Sequence, residues 1–267
     1  MAKFRSEDLT VATLIRGRTE HLPYFLYNLS RQEYTPNGSK QRIRSHLYVN
    51  FTDDEEADAD KIAAIAQMAN KKLLPVSLFY QKVPNLKKDS RQGNRLEIYG
   101  HLAEMRNNQK KKIAGNPVMF LDSDIMLRNT CSLQTLFNAF ALQDDHCAGI
   151  SLLIDNGHGT SNAMVFDKEN SRYVHLGFNP NTGMRECDLT GAAFMLKEEA
   201  YRYNDYAFSP IGEDEPFCRS LKRKGYAIFQ YTNVVGIHCM NLEQLDNFKA
   251  ANPQMQIDVE RIFRSVL

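Results

Sequence analysis

The sequence of 267 residues lacks the features that would mark a membrane or a secreted protein. No apolar stretch approaches the roughly 18 residues of a membrane-spanning helix, and the longest, at 11–15 and 150–154, have the length of strands. Residues 1–8 contain no apolar segment of the kind found in secretory signals, and their acidic residues argue against a transit peptide. We therefore expect a cytoplasmic protein with no transmembrane segment.

Charge and cysteine content are equally unremarkable, and they exclude several classes of partner. The 33 Lys and Arg against 32 Asp and Glu give a net charge of +1. The chain therefore has no overall positive electrostatic field that would attract a nucleic acid or an anionic membrane. Five cysteines without CxxC spacing predict neither a disulfide framework nor a zinc site. With 43% hydrophobic residues, the composition is typical of a folded protein, and the length fits one domain, residues 1–267.

Strand and helix patterns alternate through the first half of the chain, which is typical of β-α-β units and a mainly parallel sheet. Strands are predicted at 11–15, 46–51, 76–80 and 117–121, and helices at 20–30, 57–70 and 94–112. The second half predicts helices at 197–203 and 214–224, strands at 226–231 and 234–238, and two closing helices around Pro253. We expect an α/β fold with a Rossmann-like mixed, mainly parallel sheet flanked by helices.

Two carboxylates follow the apolar strand predicted at 117–121. Asp122 and Asp124 flank Ser123 at the carboxyl end of this strand, where open α/β sheets place their ligands. Carboxylates one residue apart are suited to Mn²⁺ or Mg²⁺, and either ion in turn binds a diphosphate. An isolated pair with this spacing also occurs as an ordinary solvated turn.

A second acidic cluster begins the helix predicted at 214–224. Glu213 and Asp214 lie where the helix macrodipole favours carboxylates, so capping is one interpretation. Pro216 in the first turn and the apolar Phe217 predict a well-defined buried face, which directs Asp214 toward a cleft above the sheet. A carboxylate there can act as a general base that removes a hydroxyl proton.

His238 ends the strand predicted at 234–238. Imidazole is a good ligand for Mn²⁺ and a poor one for Mg²⁺, although a lone histidine in this position is commonly structural. Together, Asp122, Asp124 and His238 form a candidate metal site with Asp214 as a candidate base. The combination is a stronger indication than any of its parts.

These motifs, in this order and at these separations, resemble those of GT-A-fold nucleotide-sugar glycosyltransferases, in particular the β-1,4-galactosyltransferase-like and family-2-like inverting enzymes. Residues 16–22 (RGRTEHL) resemble the galactosyltransferase segment Arg-x-Arg-x-Glu-His-Leu, and residues 93–96 (GNRL) resemble the Asn-Arg-Ala segment. Residues 120–125 (FLDSDI) resemble Phe-x-Asp-x-Asp-Leu, and residues 189–196 (LTGAAFML) the Gly-rich strand beside the donor sugar. Residues 212–217 (GEDEPF) resemble the Gly-Glu-Asp-acid-x-Phe motif.

The resemblance implies a GT-A fold and a role for each matching residue. Asp214 would be the general base and Glu213 would hold the acceptor sugar, while Asp122, Asp124 and His238 would bind Mn²⁺ or Mg²⁺. The donor would be a nucleotide diphosphate-sugar, with UDP as the expected nucleotide, and the acceptor a glycan hydroxyl. The residues assigned to donor binding are Arg16, Arg18, Asn94, Arg95, Asp122, Ser123 and Gly191.

The implied organisation is a nucleotide-binding half at about 9–125, an acceptor-binding half at 126–240 and C-terminal helices at 241–267. The chain departs from the galactosyltransferases at two points. Residues 237–241 lack the second histidine of their metal segment, so the choice between Mn²⁺ and Mg²⁺ stays open. The sequence has no tryptophan, which those enzymes place in a loop over donor and acceptor, and Tyr206 and Phe208 are the candidates to replace it.

Three other functions stay open. Residues 95–107, with Arg106 and Asn107, are also similar to the Ala-Arg-Asn segment of α-mannosyltransferases that use a GDP-sugar and retain configuration. The acids at 213–215 favour inversion. A non-catalytic sugar-nucleotide-binding protein would keep the fold without turnover. A nucleotidyltransferase would need a glycine-rich phosphate loop after the first strand, where residues 16–19 contain one glycine.

Two charged segments have ordinary explanations as well. Asp53 follows the second strand, where nucleotide-binding α/β folds place an acid near the base or ribose, but it also opens a helix. The run 105–112 ends a helix in lysines, and we interpret it as a solvated helix end rather than a phosphate contact.

Overall fold

The computed structural model describes residues 8–36, 38, 41–83 and 95–267. The helices are α1 (Leu22–Ser30), α2 (Glu56–Lys72), α3 (Arg95–Lys110), α4 (Ser132–Ala141), α5 (Glu198–Arg202), α6 (Asp214–Arg223), α7 (Leu242–Ala251) and α8 (Pro253–Phe263). The strands are β1 (Leu9–Ile15), β2 (Ile43–Phe51), β3 (Val76–Lys82), β4 (Val118–Leu121), β5 (Ile125–Leu127), β6 (Cys147–Asp155), β7 (Thr160–Asp167), β8 (Arg172–Gly177), β9 (Met184–Cys187), β10 (Leu189–Thr190), β11 (Ala193–Leu196) and β12 (Ala227–His238).

Among the described residues, nine strands form one mixed sheet in the order β3-β2-β1-β4-β11-β6-β12-β5, with β9 paired to β12. Strands β3, β2, β1 and β4 are parallel, whereas β11 runs antiparallel to both of its neighbours, β4 and β6. A smaller antiparallel sheet has the order β10-β7-β8. The predicted α/β class with a mixed sheet flanked by helices is confirmed.

Helices cover both faces of the large sheet. Successive residues of β1 point to opposite faces, so Val11 belongs to one apolar cluster and Ala12 to the other. The first cluster lies beneath α1, α2, α4, α7 and α8, and the second beneath α3, α5 and α6. Helix α2 shows how its sequence favours this packing, because its buried residues recur at helical spacing. They are Ala59, Ile62, Ile65, Ala66 and Ala69.

Strand β12 differs from the prediction of two strands, at 226–231 and 234–238. It is one strand whose pairing with β6 shifts register between Tyr231 and Val235. Thr232 lies in this irregularity and is fully buried, and its Oγ1 donates to the Gly183 carbonyl at 2.9 Å. The polar residue therefore interrupts the apolar pattern without ending the strand.

The topology determines where the polar residues at the strand ends meet. Strands β1 and β4 are parallel neighbours, and β12 has the same direction as β4 because two antiparallel pairings, β4–β11 and β11–β6, separate it from β4. The carboxyl ends of all three strands therefore lie along one edge of the sheet. No helix within the described residues combines the length and the apolar character needed to cross a membrane.

The close pairing of β6 with β11 yields a test of the fold. A Cβ added at Gly149 would lie 2.5 Å from the Met195 carbonyl oxygen and 2.7 Å from Leu196 Cδ2. We expect Gly149→Ala to lower the free energy of unfolding by about 1–3 kcal/mol, the usual cost of overpacking a core. Urea unfolding measures the change.

Gly100→Ala is the matched control, because a Cβ at this position on α3 meets nothing within 4 Å. Alanine is the better helix former, so we expect this variant to be stabilised by about 0.5–1 kcal/mol. Changes of the same sign in the two variants would contradict the packing described here.

Candidate active site

The sheet edge gathers residues from both ends of the chain. Arg16 and Arg18 follow β1, Asp122 and Asp124 follow β4, and His238 is the last residue of β12. These are the strand-end residues that the sequence singled out, and the fold brings them to one place.

Two adjoining cavities lie at this edge. The cavity that we call the arginine cavity has a volume of about 220 Å³, and its lining includes Arg16, Arg18, Asn50, Ser123 and Asp124. The cavity that we call the acid cavity has a volume of about 230 Å³, and its lining includes Asn162, Gly191, Ile211, Asp214 and Glu215. Both cavities are lined by Arg106, Asp122 and Glu213, which therefore form the wall between them.

Arg106, on α3, is the buried cation of this wall. Its Nη2 lies 3.0 Å from Asp122 Oδ1 and its Nε 3.5 Å from Glu213 Oε1, and 7% of its side chain is exposed. Burial by itself lowers the pKa of an arginine, but the carboxylates of Asp122, Asp214 and Glu213 outweigh it and raise the pKa of Arg106 well above its ordinary value. Arg106 thus joins the two acidic motifs into one charged cluster.

Asp124 is held from two sides. Arg18 Nη2 lies 3.0 Å from Asp124 Oδ2, and His238 Nε2 lies 3.3 Å from the same oxygen. Burial acts to raise the pKa of Asp124, but His238 and Arg18 overcome it, so the pKa lies below its usual value. Arg18 also donates from Nη1 to the Met240 carbonyl at 2.8 Å. These contacts tie the β1–α1 loop to the β4–β5 loop and to the end of β12.

The backbone at Arg18 is specialised for these contacts. Arg18 has φ +59°, a left-handed conformation that is uncommon for a residue with a side chain, and it follows Gly17 at φ +62°. Such conformations persist where surrounding contacts hold them, and they cluster at functional sites. Here the contacts are those to Asp124 and Met240.

Arg16 is fixed by a residue that the sequence did not single out. Its Nε donates to Glu55 Oε2 at 2.9 Å, and the same oxygen accepts the backbone N–H of Thr52 at 3.1 Å. Glu55 is buried in the short turn before α2. It therefore orients the guanidinium of Arg16 beside the arginine cavity.

Asp214 is in contact with the backbone of Gly191. A Cβ at position 191 would lie 1.9 Å from Asp214 Oδ2, so glycine is what leaves room for the carboxylate. Burial raises the pKa of Asp214 well above its ordinary value and Glu213 adds to the rise, whereas Arg106 opposes it. A carboxylate with a raised pKa is the stronger base once it is ionised, so the arrangement suits proton transfer.

The structure brings together two of the three predicted metal ligands, Asp124 and His238. Asp122 is paired with Arg106, and burial raises its pKa against the opposing charge of Arg106, with Asp124 adding to the rise. Across the described ranges, no group of three or more His, Cys, Asp or Glu side chains is arranged as a metal site.

The other predicted residues are distributed as follows. Ser123 is buried and lines the arginine cavity. Asp53 is 77% exposed and ion-paired with Lys82, and it does not belong to the lining of either cavity in the part of the chain that the structure describes. Asn94 lies outside the described residues, and Arg95 is described only as the first residue of α3.

The interpretation of residues 105–112 as a solvated helix end is wrong for much of the run. Arg106 and Lys110 are buried, and Lys110 Nζ lies 2.9 Å from Asp205 Oδ1. Exposure begins with the last two lysines of the run. The buried cations are compatible with folding because acids from distant segments neutralise them.

Tyr206, a candidate for the place of the missing tryptophan, is also buried. It stacks on Phe217 with ring centroids 4.2 Å apart and planes within 5° of parallel. Phe208 is 50% exposed and remains available for contact with a ligand.

Comparison with known proteins identifies the fold but no family. No family model and no curated protein matches the chain. Among solved structures, it is similar to the mannosyltransferase PcManGT from Pyrobaculum calidifontis in complex with GDP-Man and Mn²⁺, with a TM-score of 0.54, 15% identity and 89% of this chain covered. The chain spans 58% of the length of that protein.

A second similar structure is UDP-glucose pyrophosphorylase complexed with UDP-glucose, with a TM-score of 0.54 and 10% identity. The match covers 92% of this chain and 99% of that chain. One neighbour is thus a glycosyltransferase and the other a nucleotidyltransferase. The similarity confirms the predicted GT-A-like, Rossmann-like fold, and at these identities it establishes the fold alone.

The buried position of Arg106 leads to a pH-dependent prediction. Arg106→Met would leave Asp122, Glu213 and Asp214 facing one another without a cation, and we expect the free energy of unfolding to fall by about 3–5 kcal/mol at pH 7. A carboxylate whose pKa is raised by folding costs stability as pH rises through that pKa. The deficit should therefore shrink as the pH is lowered toward 5, because Asp122 and Asp214, whose pKa values are raised in the folded protein, take up protons as the pH falls.

Urea unfolding at the two pH values checks this expectation. Arg106→Lys is the control, because it keeps the charge while losing the forked geometry, and it should lose less stability than Arg106→Met. A deficit of the same size at both pH values would show that packing, not charge, is what Arg106 supplies.

Proposed function

We propose that this chain is a metal-dependent inverting glycosyltransferase that moves a sugar from a nucleotide diphosphate-sugar, with UDP as the expected nucleotide, to a hydroxyl of a glycan acceptor. The observation that carries the proposal is that Asp214 and Asp124 line adjoining cavities with a common wall. The nucleotide would occupy the arginine cavity and the acceptor hydroxyl the acid cavity. The bond to be broken would then lie at the wall.

The lining of the arginine cavity supports a nucleotide diphosphate as its ligand. Arg16 and Arg18 supply cationic donors at fixed positions, and anionic diphosphates favour such groups. Asn50 also lines this cavity, and its buried amide oxygen has no hydrogen-bond partner in the described part of the chain. A buried polar atom without a hydrogen-bond partner is energetically unfavourable, so a ligand that donates a hydrogen bond to this oxygen would be stabilised in the cavity.

The charge balance of the two cavities supports a divalent cation. Five carboxylates against three guanidinium groups leave a balance of −2 when all are ionised. The groups are Asp122, Asp124, Glu213, Asp214, Glu215, Arg16, Arg18 and Arg106. Asp124 and His238 would hold the ion with Asp122 beside them, and a donor set that includes imidazole favours Mn²⁺ over Mg²⁺.

The reaction would be a single displacement. The acceptor oxygen would form its bond to the anomeric carbon as the bond from that carbon to the diphosphate oxygen breaks, and Asp214 would take the hydroxyl proton. Attack from the face opposite the diphosphate inverts the configuration. When bound, the cation would neutralise charge on the departing diphosphate. Glu213, which lines both cavities, would hold the acceptor sugar, and Gly191 would leave space for the base.

A retaining transferase that uses GDP-mannose is the first alternative. The fold similarity to a mannosyltransferase complexed with GDP-Man and Mn²⁺ is compatible with it. The position of Asp214 favours inversion, because a retaining reaction needs no base opposite the leaving group. Binding of UDP and GDP, each measured by calorimetry with and without Mn²⁺, distinguishes the two donors.

Two further alternatives are a nucleotidyltransferase and a non-catalytic sugar-nucleotide-binding protein. The fold similarity of this chain to UDP-glucose pyrophosphorylase is compatible with a nucleotidyltransferase. The β1–α1 loop, however, has one glycine rather than a glycine-rich phosphate loop. A nucleotidyltransferase would release pyrophosphate, whereas a glycosyltransferase would release UDP or GDP. A binding protein would release neither.

The assignment of the base is tested by Asp214→Asn. The substitution keeps the size of the side chain but removes its ability to accept a proton, so we expect transfer to fall by at least about 100-fold. Nucleotide release from UDP-glucose, UDP-galactose and UDP-N-acetylglucosamine measures turnover, and calorimetry with UDP should show unchanged affinity. Asp246→Asn, on the exposed surface of α7, is the control. Full turnover in Asp214→Asn would remove this residue as the base.

The assignment of the metal ligand is tested by Asp124→Ala. The variant removes the carboxylate that contacts His238 and Arg18, so UDP binding should lose its dependence on Mn²⁺. Calorimetry with UDP, with and without Mn²⁺, measures the effect, and Asp246→Ala should bind as the unchanged protein does. An undiminished Mn²⁺ effect in Asp124→Ala would place the ion elsewhere.

A further inference from the structure

A larger cavity adjoins the acid cavity and, among the described residues, shares none of its lining with the arginine cavity. It has a volume of about 530 Å³, within the range of clefts that bind small molecules. We call it the side groove, and its lining includes Phe166, Arg172, Tyr173, Ser209, Ile211 and Glu215. Because Ile211 and Glu215 also line the acid cavity, the two spaces adjoin.

One wall of the side groove is aromatic. Phe166 on β7 and Tyr173 on β8 are cross-strand partners, with ring centroids 5.2 Å apart and an angle of 66° between the planes. Phe166 is 42% exposed and Ile211, on the loop that precedes α6, is 48% exposed. Exposed apolar surface of this kind inside a cleft is typical of a binding site. A sugar ring fits such a wall, since its C–H face packs on an aromatic ring while its hydroxyls contact polar neighbours.

Polar contacts fix the aromatic wall to the helix that carries Asp214. The hydroxyl of Tyr173 donates to Glu215 Oε1 at 3.3 Å, and Arg219 Nη1 lies 3.4 Å from the same oxygen. Burial raises the pKa of Tyr173 to about 12, with Glu215 adding to the rise, so the hydroxyl stays protonated at neutral pH. Glu215 directly follows Asp214 at the start of α6.

A second link runs through Asp188. Its carboxylate accepts the backbone N–H of Phe166 at 2.8 Å and lies 2.9 Å from Lys222 Nζ on α6. Both aromatic residues are thus anchored to α6 by separate contacts. The side groove is therefore held at a fixed position relative to Asp214, which lowers the entropic cost of binding a ligand across both spaces.

We propose that the side groove binds the second sugar unit of a glycan acceptor, one unit away from the hydroxyl that faces Asp214. The acceptor is accordingly an oligosaccharide of at least two units rather than a free monosaccharide. This assignment rests on the proposed function and adds to it the length of the acceptor. Phe166 is the specificity-determining residue, because its exposed ring packs against the second unit.

The test compares the unchanged protein with Phe166→Ala on a glycan array that carries mono-, di- and trisaccharides, in the presence of UDP and Mn²⁺. Val174→Ala is the matched control, because Val174 is the next residue along β8 from Tyr173, is 38% exposed and does not line the side groove as the described residues define it. We expect the unchanged protein and Val174→Ala to bind di- or trisaccharides and to bind monosaccharides at least tenfold more weakly. Phe166→Ala should bind the longer glycans about tenfold more weakly, the loss expected for one aromatic contact.

Ile211→Ala, on the loop that precedes α6, is a second variant that leaves all three strands of the small sheet unchanged, and it should weaken binding of the longer glycans in the same way. Equal binding of mono- and disaccharides, unchanged binding by both groove variants, or no glycan binding by a protein that binds UDP would overturn the assignment of the side groove. Binding of serine- or threonine-containing peptides in place of glycans would overturn it as well. Calorimetry with UDP and GDP reads out the proposed function separately, because a protein that binds neither nucleotide fails that proposal whatever the array shows.

Discussion

The candidate site depends on one buried cation, the guanidinium of Arg106. Asp122 comes from the end of β4 and Glu213 from the start of α6, and without a positive charge between them their carboxylates would repel each other at the wall between the two cavities. The geometry of arginine matters here because its separate N–H groups reach two carboxylates at once. The two acidic motifs, which the sequence presents as independent, are therefore one electrostatic unit.

The topology of the sheet makes this unit possible. Strand β11 runs antiparallel between β4 and β6, and its pairing with β4 brings residues 191–193 alongside the acidic loop that follows β4. The N–H of Asp122 donates to the Ala192 carbonyl at 2.8 Å, and Ala192 has φ +63°. The reversal in strand direction thus places Gly191, which Asp214 contacts, next to the acidic loop that follows β4.

Much of the fold and the positions of the acidic motifs could be predicted because they depend on local patterns. An apolar run followed by Asp122 and Asp124 places these carboxylates at a strand end without knowledge of any contact. Arg106 could not be found in this way. Its partners lie 16 and 107 residues away, and a polar residue near a helix end has the same local pattern whether it faces water or distant acids. Glu55 escaped prediction for the same reason, since its contact with Arg16 spans 39 residues.

Gly191 and Asp214 show how closely the two halves of the site are fitted. The carboxylate lies where the first side-chain carbon of any other residue at position 191 would be. The two positions are therefore not free to vary independently during evolution. A related protein with a larger residue at 191 must therefore have a shorter or displaced side chain at 214. The glycine thus limits which residues position 214 can hold, in addition to the limit that the reaction sets.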